Sequence, residues 1–233
     1  MIRKNLQKLT FLIFIGIVVF PTTIYCQKLS NFLDQEININ LAKTNLLYVV
    51  NKLAFEYNIP IGLEVDSSYR QKDFEKMSLK NKQLTFLDEI EIKKGTLRNI
   101  LNNLIKQEPK YKWKAIDGVI NIYPIESRDL LLKRILDINI KKKYKEINFD
   151  TSKLLDTIID FGGVQTFLTQ EKLTFLKHDP LNRIYSYPDT KVKMKIENKN
   201  IRDILNQFIR ESRLKLWVLE RTGEKKEFVS INF

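Results

Sequence analysis

The fold is decided by two related stretches of sequence, IKKGTLRNILNNLIKQEPKYKW at residues 92–113 and IENKNIRDILNQFIRESRLKLW at residues 196–217. A constant shift of 104 residues aligns them without a gap, and 7 of the 22 aligned positions are identical, against about one or two expected from ordinary residue usage. The identical pairs are Ile92 and Ile196, Arg98 and Arg202, Ile100 and Ile204, Leu101 and Leu205, Asn102 and Asn206, Ile105 and Ile209, and Trp113 and Trp217. The alignment therefore predicts that one structural unit occurs twice.

Each stretch has a readable local structure. Apolar residues at helical spacing over 97–105 predict a helix, Gly95 and Thr96 are typical of its N-terminal cap, and Pro109 ends it. A strand is predicted in front at 90–92. The second copy repeats this pattern from residue 192 onward.

A hairpin is predicted behind each helix. In the first copy residues 111–115 alternate between apolar residues and lysine, Asp117 and Gly118 favour a two-residue turn, and residues 119–123 return as an apolar strand. The second copy runs to Phe233 with a longer turn around Thr222 and Gly223. Trp113 and Trp217, at equivalent places in the two hairpins, are predicted to pack between helix and sheet.

A weaker version of the unit precedes each copy. In the first half the pattern predicts a strand at 37–41, a helix at 46–57 and a strand at 61–65. In the second half it predicts a strand at 135–140, a helix that begins at Asp150 or Thr151 and stops at Gly162–Gly163, and a strand at 173–176. The segments 66–83 and 178–190 are predicted loops.

These elements predict an α+β fold with two tandem domains, each built from duplicated strand-helix-strand units with two helices and small mixed sheets. The predicted domains are residues 27–124 and 135–233, joined by a linker at 125–134. Each is large enough to fold as an independent unit.

The N-terminal residues 1–26 favour export. Arg3, Lys4 and Lys8 precede an apolar run at 11–20, which has the length of a signal-peptide core and is shorter than a membrane span. Cleavage near Cys26 is the favoured interpretation, and retention as an uncleaved anchor is an alternative. Cys26 is also a candidate for lipidation.

Composition excludes several classes of function. One Cys and one His rule out a disulfide scaffold, a Cys/His zinc site and iron–sulfur ligation within one chain. We expect no cofactor and no metal. The formal charge of +12 invites a nucleic-acid partner, with the lysines at 141–145 as the best patch, but no signature of an RNA-binding module accompanies it. We therefore expect no nucleic acid, and peripheral contact with anionic lipid or cell-wall polymer instead.

Plain structural roles are also favoured for the residues that would carry catalysis. His178 beside Asp179 lacks a nucleophile motif, and Glu89 and Glu91 alternate with Ile90 and Ile92 as on the solvated face of a strand. Gly162 and Gly163 do not form a phosphate loop. We expect no catalytic residues.

Residues 37–124 resemble the short N-terminal domain shared by secretins and TonB-dependent receptors, and residues 135–233 resemble it more loosely. The resemblance lies in Ile59-Pro60-Ile61, Gly95-Thr96-Leu97, Ile100-Leu101, Trp113 and Asp117-Gly118-Val119-Ile120-Asn121-Ile122. It implies duplicated strand-helix-strand units, binding to other envelope proteins and no catalytic residues.

The sequence thus predicts a non-enzymatic protein-binding module of the bacterial periplasm or envelope, which binds another envelope protein through a sheet edge or a helix face. The repeated polar helix positions Arg98, Asn102, Arg202 and Asn206 are the candidate partner-binding residues. Two alternatives stay open: an enzyme that uses carboxylates between the domains to act on cell-wall or extracellular polymer, and a structural subunit that self-associates through its sheets.

Overall fold

The computed structural model describes residues 32–65, 90–125, 130–141, 144–176, 191–222 and 228–233. Their helices are α1 (Leu46–Glu56), α2 (Leu97–Gln107), α3 (Leu130–Leu136), α4 (Thr151–Ile159), α5 (Gly162–Gln170) and α6 (Ile201–Glu211). Their strands in the first half are β1 (Glu36–Ile37), β2 (Leu41–Thr44), β3 (Ile61–Glu64), β4 (Ile90–Ile92), β5 (Gly95–Thr96), β6 (Tyr111–Ile116) and β7 (Val119–Pro124). In the second half they are β8 (Asn139–Ile140), β9 (Tyr144–Phe149), β10 (Thr174–Leu176), β11 (Val192–Ile196), β12 (Lys199–Asn200), β13 (Leu216–Thr222) and β14 (Phe228–Asn232). The predicted α+β class is confirmed.

The helix starts and the first hairpin follow from local sequence. Thr96 Oγ1 accepts a hydrogen bond from Asn99 N, and Asp150 Oδ1 accepts one from Lys153 N, so each side chain satisfies a backbone donor that the first turn leaves without a helical partner. Asp117 and Gly118 have φ of 50° and 78°, which suits the two-residue turn between β6 and β7.

Strand pairing repeats between the halves. The pairs β1–β5, β2–β4, β3–β7 and β6–β7 of the first half have the counterparts β8–β12, β9–β11, β10–β14 and β13–β14 in the second. In both halves the third of these pairs is parallel and the others are antiparallel. The duplicated sequence therefore gives a duplicated topology.

One further pairing, β3 with β13, joins the halves. These strands run parallel, with Ile61 opposite Leu216 and Gly62 opposite Trp217, and they complete a six-stranded sheet of order β10-β14-β13-β3-β7-β6. The sequence patterns indicate a small sheet in each half and do not reveal this joint.

Each face of the sheet carries its own core. On one face α1 and α2 pack against Ile61, Leu63 and Ile120, together with Leu216 and Val218 from the second half. On the other face α4, α5 and α6 pack against second-half side chains that include Trp217, Leu219 and Ile231, together with Val119 from the first half. The residues on each face alternate along the strands, so both faces of the central strands are buried.

The predicted secondary structure of the second half is wrong in detail. Its described residues contain four helices, α3 to α6, where the prediction has two. Gly162–Gly163 does not stop a helix, because α4 ends at Ile159 and α5 begins at Gly162. The predicted linker at 125–134 overlaps α3, and α3 also occupies the start of the strand predicted at 135–140. The domain boundaries stay a prediction.

Candidate protein interface

Both copies hold their tryptophan in the same way. Trp113 Nε1 donates to Asn102 Oδ1 at 3.1 Å, and Trp217 Nε1 donates to Asn206 Oδ1 at 2.9 Å. In each copy the asparagine on the helix therefore fixes the orientation of the indole on the following strand. Sequence comparison finds both residues, but only the structure shows that they contact each other.

Both copies also pair their repeated arginine with a carboxylate. Arg202 Nη1 donates to Glu64 Oε1 at 2.5 Å, and the side chains are 14% and 5% exposed. Arg98 Nε donates to Asp34 Oδ1 at 3.1 Å, with side chains 41% and 53% exposed. The second pair lies in solvent, where an ion pair contributes little.

In the second copy these residues form the joint between the halves. Helix α6 lies on β3 as well as on β13, and Arg202 and Asn206 both point at first-half strands. Asn206 Nδ2 donates to Asn121 Oδ1 at 3.2 Å. The Arg202 guanidinium lies 6.0 Å from the centroid of the Tyr123 ring. Docking by Arg202 and Asn206 is thus intramolecular.

Gly62 is the position of closest approach in this joint. A Cβ atom at Gly62 would lie less than 3.0 Å from three atoms of the Trp217 indole, a separation that side chains essentially never show. Trp217 is fully buried on Gly62. A glycine inside a strand commonly marks such an approach, and this signal was present in the sequence.

Burial sets the ionisation of Glu64. It raises the pKa of this carboxyl above its ordinary value, and the charge and hydrogen bond of Arg202 lower it, without cancelling the effect of burial. Burial in the joint removes both charges from water, and this desolvation costs free energy that their mutual attraction has to offset.

The first copy presents the same constellation, and among the described residues no strand lies in front of it. Asn102 is exposed and Trp113 half-buried, whereas Asn206 is 3% exposed and Trp217 fully buried. Strand β13 lies between β14 and β3, but in the described part of the chain β6 pairs with β7 alone. We call Arg98, Asn102, Trp113 and the outer edge of β6 the β6 edge site.

The backbone of β6 is arranged to accept a strand. Lys110 O accepts from Ile125 N on the β7 side, and the antiparallel ladder then turns the backbone groups of Trp113 and Ala115 away from β7. Their counterparts in β13 are Trp217 and Leu219. Leu219 O accepts from Val65 N at 2.9 Å, so the equivalent edge of β13 is the one that pairs with β3.

Positive charge surrounds the β6 edge site. Lys110, Lys112 and Lys114 are exposed, and Lys112 Nζ lies 5.1 Å from the centroid of the Tyr123 ring, on the sheet face opposite Trp113. Basic side chains on an edge strand disfavour unspecific pairing with apolar strands. They favour an acidic partner.

The other sequence candidates contribute little to this site. Glu91 is exposed and pairs with Lys93 Nζ at 3.3 Å. Cys26, Glu89, His178 and Asp179 lie outside the described residues. Within the described ranges no group of three or more His, Cys, Asp or Glu side chains is placed to hold a metal ion.

No helix in the described part of the chain is long and apolar enough to cross a membrane. Comparison with protein-family models, with curated proteins and with solved structures finds no match to this chain.

Proposed function

We propose that this chain is a non-enzymatic protein-binding module that captures an extended segment of another protein at the β6 edge site. The observation that carries the proposal is the joint between the halves. There the second copy of the same constellation, Arg202, Asn206 and Trp217, already binds a strand of the first half. Strand addition of this kind derives affinity from backbone hydrogen bonds and selectivity from side-chain positions.

We place this activity in the bacterial envelope and take another envelope protein as the partner. Support comes from the basic and apolar residues at 1–26, which have the organisation of an export signal. The resemblance to the short N-terminal domain of secretins and TonB-dependent receptors points to the same compartment.

The test places a photo-crosslinking amino acid at Lys114 on β6, with Tyr48 on α1 as a control because it is also exposed. The proposal expects a defined cross-linked protein from position 114 and not from position 48. Ala115→Pro should abolish the product, because proline removes a backbone donor from the outer edge and leaves the ladder with β7 intact.

Unchanged circular dichroism of the Ala115→Pro chain is the control for folding. Cross-linking from position 114 that persists at full yield in this variant would refute strand addition at β6. Turnover of a cell-wall polymer that survives the same substitution would favour the enzyme interpretation instead.

A further inference from the structure

The joint between the halves also specifies what the partner's segment contains. We infer that the β6 edge site selects an acidic extended segment that runs parallel to β6, with a glycine opposite Trp113 and a carboxylate two residues later that pairs with Arg98. This inference rests on the proposed function and uses β3 as the template of a bound strand.

The direction and register follow from β3. It runs parallel to β13 with Gly62 opposite Trp217 and Glu64 opposite Leu219. The shift of 104 residues carries this register to β6, where the glycine lies opposite Trp113 and the acidic residue opposite Ala115. The outward backbone groups of Trp113 and Ala115 would then form the parallel ladder.

The glycine is required by the tryptophan. Trp217 occupies the space in which a side chain at Gly62 would lie, and Asn206 holds the indole in that position. Trp113 is held by Asn102 with the same hydrogen bond, only 0.2 Å longer (3.1 against 2.9 Å). A residue with a Cβ at this register would displace the indole or lift the strand away from β6.

The carboxylate is required by the arginine. Glu64 follows Gly62 by two residues, so both lie on the same face of the sheet as α6, where Arg202 meets the carboxylate. Arg98 has the same position on α2 and pairs at present with Asp34, which is 53% exposed. A strand added at β6 would take Arg98 out of water, and its carboxylate would give the desolvated guanidinium a partner, as Glu64 does for Arg202.

The residues directly before and after the glycine lie on the opposite face of the sheet, and we expect them to be acidic as well. In β3 they are Ile61 and Leu63, which pack into the first-half core. The corresponding face of β6 carries the exposed Lys112 and Lys114 instead. Cross-strand pairing with lysine favours aspartate or glutamate, so the expected pattern is acid-Gly-acid-Glu.

The edge strand that the structure describes at the other end of the sheet, as a second copy would present it, does not fit the site. At the far end of the sheet β10 offers Thr174, Phe175 and Leu176, with neither a glycine nor an acidic residue among them. One of these side chains would meet Trp113. Since the described edge of the sheet offers no matching strand, we take the occupant to be a segment of another protein.

The test measures binding of fluorescein-labelled peptides to the purified chain by anisotropy. The parent peptide is Thr-Asp-Gly-Asp-Glu-Thr, and the variants replace its Gly by Val or its Glu by Gln. We expect the Val peptide to lose at least about tenfold in affinity through steric exclusion. The Gln peptide should lose about 30-fold or more through the lost ion pair, as for truncation of one partner of a buried charge pair.

The protein variants complete the test. Arg98→Gln should weaken the parent peptide by the same factor and leave the Gln peptide unaffected, since the two changes remove one interaction. Arg213→Gln, which alters an exposed arginine on the loop after α6, is the matched charge control and should not change binding.

Three outcomes would overturn the inference: equal affinity for the Gly and Val peptides, additive effects of Arg98→Gln and the Gln peptide, or concentration-dependent self-association that Ala115→Pro abolishes. If none of the peptides binds but Ala115→Pro still abolishes cross-linking at position 114, only the acidic pattern is refuted. Loss of both results would refute the proposed function.

Discussion

The two arginines at equivalent positions of the repeat give a matched pair of perturbations. Arg202→Ala removes the partner of Glu64 in a joint where the two side chains are 14% and 5% exposed. Arg98→Ala makes the same chemical change where the pair is 41% and 53% exposed. The repeat thus supplies its own control for helix propensity and for the loss of a long side chain.

The expected magnitudes differ several-fold. Loss of one partner from a buried pair leaves an uncompensated charge and costs about 3–5 kcal/mol, whereas an exposed pair contributes about 0–1 kcal/mol. For a chain of this size each kcal/mol shifts the midpoint of thermal unfolding by roughly 2–4 °C. Arg202→Ala should therefore lower the midpoint by roughly 6–20 °C, and Arg98→Ala by no more than about 4 °C.

The assay is thermal unfolding, followed by fluorescence and by circular dichroism so that coincident transitions can be verified. The chain has two tryptophans, and Trp217 lies on Gly62 of the other half, so its share of the fluorescence change reports the joint. Equal destabilisation by the two substitutions would refute the assignment of Arg202 to a desolvated joint. So would separate transitions of the two halves in the unmodified chain.

Three further predictions concern the same joint. Gly62→Ala should destabilise the chain by about 1–3 kcal/mol through overpacking, and Trp217→Phe in the same chain should recover part of this loss in a double-mutant cycle of urea unfolding. Asn206→Ala should lower the free energy of unfolding by about 1–3 kcal/mol because it leaves buried donors and acceptors unsatisfied. Asn102→Ala, in the exposed copy, should lower it by less than about 1 kcal/mol. The reverse order would contradict the difference in burial. The raised pKa of Glu64 means that the folded state holds the proton of this carboxyl more tightly than the unfolded chain does. The stabilisation from this proton is therefore complete below the ordinary pKa of 4.5 and is lost as pH rises through the folded pKa. Unfolding titrations should show this loss in the unmodified chain and not in Glu64→Gln.

The parts of the fold that sequence predicts are those that local physics determines. Helix α2 and its cap at Thr96, and the turn at Asp117–Gly118, depend on residues a few positions apart, and the structure confirms them. The placement of Gly162 failed because a glycine pair fits the end of one helix as well as the start of the next. In the structure Phe161 precedes α5 without a side-chain cap, so the sequence carried no positive signal for this start.

The joint was beyond prediction for a different reason. It pairs residues 61–64 with 216–219, and no local pattern selects a partner so distant in sequence. Two residues nevertheless departed from the apolar pattern of the predicted strand, the glycine and the acid of β3. Contacts within the first half do not explain a glycine and a glutamate in a buried strand. Contacts with the second half do, because Gly62 lies against Trp217 and Glu64 pairs with Arg202.

The symmetry of the sheet explains why one such site stays open in the part of the chain that the structure describes. If β3 points up, then β7 and β13 also point up and β6, β10 and β14 point down, so the order β3-β7-β6 of the first half recurs inverted as β10-β14-β13 in the second. The halves are thus related by a half-turn about the long axis of the sheet together with a shift along it, which also accounts for the two cores on opposite faces. A relation that includes a shift does not close on itself. The repeated element is a helix with Arg and Asn beside a strand with Trp. In the second copy this strand pairs with β3, and in the first copy the described residues supply no such strand. Residues of the first copy are therefore more exposed than their counterparts for a geometric reason, and in the proposed function the partner supplies the strand that buries them.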